Sequence, residues 1–269
     1  MPTPFYHLSI AEELLNHPGL SQTTRNFLRS QYSAFLFGNT APDVQVVSGQ
    51  ERRATHFFTL PIHQGSKPAW EKIFEIYPNL AFAANLPPTQ AAFLAGYLCH
   101  LQSDWIWIVD IFFPVFGPER KWGTFPQRLY LHNVLRAYLD LKVLPTLPAK
   151  TAKLLRQARP KQWLPFTNDA HLREWRDYIT QQLEPGAAAR TVEVFAARQG
   201  ISPQDFYNML VSEDRMDKEI FKRLPRRSLR AYRQVLLEAN MELLHTYLSS
   251  DALPFTPTFP SVSPQPGRW

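Results

Sequence analysis

Cysteine is almost missing from this sequence: Cys99 stands alone among 269 residues. A single thiol excludes an internal disulfide and every multi-cysteine zinc site. Glycine is scarce, at 10 residues. Neither common Gly-rich phosphate loop is present, which argues against nucleotide folds that depend on one. Also missing is period-2 alternation bounded by Asn-Gly or Asp-Gly turns, so strands are not expected. No apolar run is clean enough for a bilayer span. The most apolar stretch, residues 91–116, is interrupted by His100, Gln102, Ser103, Asp104 and Asp110, and hydrocarbon tolerates such groups poorly. Residues 1–7 show neither a basic start nor an apolar signal segment, so a cytoplasmic location is expected.

What is present reads as a globular helical protein. Apolar residues make up 45% and charged residues 19%, enough to build a core. Proline, at 24 residues, punctuates the chain into many elements. Helical periodicity predicts segments at 9–17, 21–37, 68–84, 89–113 and 127–143, then 150–158, 169–183, 187–199, 203–222 and 228–249. The fold class expected is all-α, a multi-helix bundle. Charge divides the chain softly near residue 145. Residues 1–140 carry 10 basic and 10 acidic side chains, whereas residues 141–269 carry 19 and 13. The expected organisation is a helical core over 1–144 that bears the interesting histidines, a basic helical part over 145–249 that packs on it, and a Pro-rich tail over 250–269. The basic excess concentrates at Lys222, Arg223, Arg226, Arg227, Arg230 and Arg233. It is either a solvated helix face or a surface for anionic partners.

The informative pattern is His100-Leu-Gln-Ser-Asp104. Positions i and i+4 share one face of a helix, with Cβ atoms about 5–6 Å apart. Phe93, Leu94, Tyr97, Leu98, Trp105, Ile106 and Trp107 flank the pair, which predicts burial. A buried carboxylate must be paired or ligated. Either a His–Asp hydrogen bond or a shared metal ion meets that need. Other polar groups stand in apolar neighbourhoods: His7 in Phe-Tyr-His-Leu, Asp43 after Thr40-Ala-Pro, His56 in Thr-His-Phe-Phe, Asp110 on the apolar run, and His132 between Leu131 and Val134. A bundle projecting them inward would form a His/Asp metal cluster.

The order His7, Asn39-Thr-Ala-Pro-Asp43, Thr55-His56-Phe, Ala95-Gly-Tyr-Leu-Cys-His100-x-x-x-Asp104 resembles the zinc-dependent phospholipase C family. That family is all-helical and shares its architecture with the P1-type single-strand nucleases. The resemblance spans roughly residues 1–140. It implies one to three Zn2+ ions. Asp43, His56, His100 and Asp104 would hold the first, with Asp43 also the catalytic base. Asp104 would bridge to a second ion held by His7. Asp110 and His132 would fall at the third site, where the family has His in place of Asp110 and Glu in place of Arg136. The activity implied is hydrolysis of a phosphodiester by a metal-activated water, with a phospholipid headgroup linkage as substrate. A peripheral anionic membrane surface is the partner implied by the basic helices, ahead of nucleic acid. The alternatives are a single-strand nuclease-like phosphodiesterase and a non-catalytic metal-binding relative.

Overall fold

The computed structural model describes residues 1–62, 66–184, 186–187 and 189–249. The Pro-rich tail expected over 250–269 lies outside the described residues. Fourteen α-helices and no strand occur among the described residues. The first seven are α1 (Pro4–Asn16), α2 (Gln22–Ser30), α3 (Tyr32–Gly38), α4 (Gln45–Ser48), α5 (Arg52–His56), α6 (Ala69–Ile76) and α7 (Pro88–Trp107). The rest are α8 (Phe125–Val143), α9 (Thr151–Gln157), α10 (Asp169–Gln182), α11 (Thr191–Gln199), α12 (Pro203–Val211), α13 (Glu213–Met216) and α14 (Arg226–Ser249).

Local chemistry explains many of the starts. Ser21 accepts from the Thr24 amide, Thr124 from Gln127, Asn168 from His171 and Ser202 from Asp205. Each side chain satisfies an amide that has no intrahelical partner. Helix α1 begins at Pro4, earlier than the pattern predicts, because proline suits the first helical turn. The single helix expected over 21–37 is two helices that meet at Gln31.

Helix α7 is the axis of the molecule. It is mostly apolar on every face, as a helix buried on every side tends to be, and sixteen of its twenty residues are buried, His100, Gln102, Ser103 and Asp104 among them. Helix α3 packs closely against it at two glycines, Gly38 and Gly96. A Cβ on Gly96 would lie 2.2 Å from the Phe35 carbonyl oxygen, and one on Gly38 would lie 2.0 Å from that of Phe93. Only hydrogen fits in either place. On another side α14 is pinned to α7 by polar contacts: the Tyr232 hydroxyl donates to Ser103 O, and Asn240 Nδ2 donates to Ser103 Oγ. From α10, Trp175 Nε1 donates to Thr40 O over 2.8 Å, which ties the loop after α3 in place. Beyond Trp107 the backbone widens into a π-helical segment, Ile108–Phe116, that contains Pro114. Proline has no amide to give the helix, and a wider turn absorbs the defect.

Candidate metal centre

Four separate stretches deliver five donors to one place. His7 comes from α1, Asp43 from the 3-10 turn Ala41–Val44, His56 from the last residue of α5, and His100 and Asp104 from α7. Phe57, directly after His56, is left-handed at φ 60°. That conformation is uncommon for a bulky residue; here it ends α5 and turns the chain away from the His56 side chain. His7, His56, His100 and Asp104 are all buried. Asp43 is the accessible member, with its side chain 14% exposed.

The spacing within the cluster is specific. His7 Nε2 lies 3.4 Å from Asp104 Oδ1. His56 Nε2 lies 3.5 Å from Asp43 Oδ1 and 3.5 Å from Asp104 Oδ2, and His100 Nε2 lies 3.8 Å from Asp104 Oδ2. The two oxygens of Asp104 therefore face different imidazoles. These separations exceed the ~2.7–3.2 Å of an N–H···O hydrogen bond. They approach the ~3.4 Å expected between two ligands of a tetrahedral ion with bonds of about 2.1 Å. In each of two donor triads, His7/His100/Asp104 and Asp43/His56/His100, the donor atoms lie within 4.8 Å of one another. Four buried atoms in the cluster have no hydrogen-bond partner: Nε2 of His7, His56 and His100, and Asp104 Oδ1.

Tautomers and charges follow. His100 Nδ1 lies 2.8 Å from Asn39 O. A carbonyl only accepts, so Nδ1 carries the proton and Nε2 turns a bare lone pair inward. Burial, then the neighbouring His7, pushes the His100 pKa down to about 3. Burial and Arg52 likewise lower that of His56. The His7 and His100 rings stack with centroids 3.7 Å apart. Burial alone would raise both carboxyls. The surrounding imidazoles and Arg52 outweigh it and hold Asp43 and Asp104 well below the usual carboxylate range. The site is a set of anionic oxygens and imidazole nitrogens, the donor chemistry of a divalent metal.

Asp110 and His132 belong to neither triad. Six residues past Asp104 on a helix is a rotation of about 120° off its face, and the π-segment shifts the register further. Burial raises the Asp110 pKa to about 6. His132 lies in an aromatic box of Trp107, Phe112 and Phe116, where its Nε2 accepts from Trp107 Nε1 over 2.8 Å. Arg136 makes no ion pair with Asp110. Its Nη1 donates to Asn133, and its guanidinium lies 4.5 Å from the centre of the Phe195 ring. Burial, then repulsion from Arg52, lowers its pKa to about 10, so it stays cationic at neutral pH.

Arg52 is the functional candidate that the motif reading misses. Its Nη2 ion-pairs with Asp104 Oδ2, its Nη1 lies 3.4 Å from Asp43 Oδ1, and its Nη2 approaches Met1 Sδ at 3.1 Å. Its signal was its place four residues before His56, on the same face of one helical turn. The C-terminal basic run is partly neutralised: Arg226 pairs with Asp217 and Arg233 with Glu13, while Lys222, Arg223, Arg227 and Arg230 are exposed. No helix among the described residues is long and apolar enough to cross a membrane.

No curated protein and no solved structure gave a significant match to the chain. Residues 6–107, which hold all five convergent donors, match the family model for zinc dependent phospholipase C, and this match, over fewer than half of the residues, supports the zinc-dependent phospholipase C family for the donor-bearing part of the chain.

Proposed function

We propose that this chain is a zinc-dependent phosphodiester hydrolase of phospholipase C type, with His7, Asp43, His56, His100 and Asp104 as metal ligands. One observation carries the reading: four buried, unpartnered donor atoms from three elements face one another at ligand spacing. An unsatisfied buried polar atom is costly, and cations held in the two donor triads would satisfy all four. Oδ1 of Asp104 is turned to His7 and Oδ2 to His56 and His100, so this carboxylate would offer an oxygen on each side of the cluster. Asp110 and His132 have no such support and are left out of the ligand set.

Zinc held there would supply a Lewis acid, able to activate water at neutral pH and to neutralise charge on a phosphoryl oxygen. The protein does the rest. Asn39 O and Thr55 Oγ1 orient the His100 and His56 rings through their Nδ1 atoms. Asp43, ionised and partly exposed, would accept a hydrogen bond from the attacking water and would be the acceptor for its proton. Arg52 reaches the same edge and stabilises the negative charge that builds on phosphate during attack. Residues 1–144 supply every ligand, while residues 145–249 pack over them and add the exposed cations Lys222, Arg223, Arg227 and Arg230, which favour an anionic membrane surface.

Elemental analysis together with hydrolysis of phosphatidylcholine vesicles tests the reading. Purified protein should carry zinc and release a phosphorylated headgroup, and chelation should abolish both. Full activity in His100→Ala or Asp104→Ala overturns the site. Turnover of single-stranded nucleic acid but of no lipid overturns the substrate class.

A further inference from the structure

Beside Asp43 a cavity of about 90 Å³ opens between the donor-bearing part and helices α10 and α11. A water molecule needs roughly 10–15 Å³ on this scale. The cavity thus suits a phosphate group and its hydrogen-bonding partners rather than an acyl chain. Four guanidiniums line it: Arg52, Arg136, Arg190 and Arg198. The carboxylate they share it with is Asp43.

Among the described residues Arg136, Arg190 and Arg198 have no carboxylate partner. Aromatic rings position them instead. Arg136 and Arg198 lie 4.5 and 5.8 Å from the centre of the Phe195 ring, and Arg190 lies 5.7 Å from that of Tyr178. Cation–π contact orients guanidinium planes without consuming their N–H donors. Nε of Arg52 and of Arg136 is buried with no partner. Exposed arginines on a helix usually need no explanation, and Arg190 and Arg198 are exposed. Here, however, they converge with two half-buried arginines from other elements on one small space. Like charges so gathered repel unless an anion joins them. Planar forks suit the oxygens of phosphate in particular.

The geometry points to a phosphomonoester-binding subsite formed by Arg52, Arg136, Arg190 and Arg198 next to the metal donors. Resting on the hydrolase reading above, it names the substrate class: a phosphodiester whose headgroup carries a phosphomonoester of its own. A lipid headgroup and a soluble polyol phosphate share that chemistry.

Two measurements test it on the full chain. EDTA-treated protein is titrated calorimetrically with inorganic phosphate, so that no metal competes for the anion. Zinc-loaded protein is given phosphatidylcholine vesicles containing phosphatidylinositol or its monophosphate, and separately the soluble glycerophosphoinositol phosphate. Phosphate should bind wild type and bind the R190Q/R198Q double variant roughly tenfold more weakly, the loss expected for one charge-assisted hydrogen bond. The kcat/KM preference for the monophosphate over phosphatidylinositol should shrink in the double variant by a similar factor. Turnover of the soluble ester supports a soluble source, and turnover confined to vesicles supports a lipid one. Phosphate binding that is absent, or unchanged in the double variant, overturns the subsite, as does equal turnover of the two inositol lipids. Arginine-dependent phosphate binding without hydrolysis of any phosphodiester refutes the hydrolase and leaves the subsite standing.

Discussion

Replacing Asp104 by Asn probes the metal centre most directly. The side chain keeps its shape but loses its charge, and it turns an NH2 group towards imidazole lone pairs. In the metal-free protein four buried atoms lack partners. At about 1–3 kcal/mol for each unsatisfied group, the cluster costs the fold roughly 4–12 kcal/mol. Zinc should recover part of that cost. At a free concentration one hundred times its Kd, a ligand specific for the native state adds about 2.7 kcal/mol. For a chain of this size each kcal/mol moves Tm by about 2–4 °C, so the expected rise is roughly 5–10 °C. The assay is a thermal melt of wild type and D104N, each in EDTA and in zinc. Comparing each protein with itself removes any cost of the substitution to the metal-free fold. Wild type should shift and D104N should not. An equal zinc-induced rise in D104N, or no rise in wild type, would refute the metal reading.

The remaining predictions concern the scaffold. Gly96→Ala forces a methyl group onto the Phe35 carbonyl, so it should cost about 3 kcal/mol or more and lower zinc occupancy; denaturant melts and metal content check both. His132→Phe strands the Trp107 indole N–H and should cost about 1–3 kcal/mol with the zinc count per chain unchanged; loss of an ion would restore His132 as a ligand. Asp140 is fully buried between the hydroxyls of Thr3 and Thr191, and burial, opposed by those hydroxyls, raises its pKa to about 7. Its raised pKa means the folded state binds the proton more tightly than the unfolded chain. The associated stability is therefore complete below pH ~4 and is lost as pH climbs to about 7, by up to about 4 kcal/mol. Asp140→Asn should flatten that slope in a pH series of melts, and an unchanged slope would sink the assignment.

Part of the candidate site was legible because it is local. His100 and Asp104 share a face through helical spacing alone, and the apolar residues around them announce burial. Caps at Ser21, Thr124, Asn168 and Ser202 are similarly short-range. Reading fails where a position depends on register or on distant chain. Asp110 shares an apolar run with Asp104, yet a rotation of about 120° and a π-helical turn aim it elsewhere. His132 looks like a ligand in sequence, and Trp107 shows it to be a hydrogen-bond acceptor in an aromatic box.

The amino-acid order by itself determined an all-helical chain, the buried His100–Asp104 pair and the five-donor pattern, because each rests on contacts within a few residues or on a recognisable succession of motifs. Only the tertiary structure decided which donors converge and which cations join them. The close packing of α3 on α7 at Gly38 and Gly96 brings the Asn39 carbonyl to His100. The N-cap of α11 and α11 itself carry Arg190 and Arg198 to within one cavity of Asp43, about 150 positions away along the chain. Such meetings depend on how helices pack, and packing is a property of surfaces that no local spacing encodes.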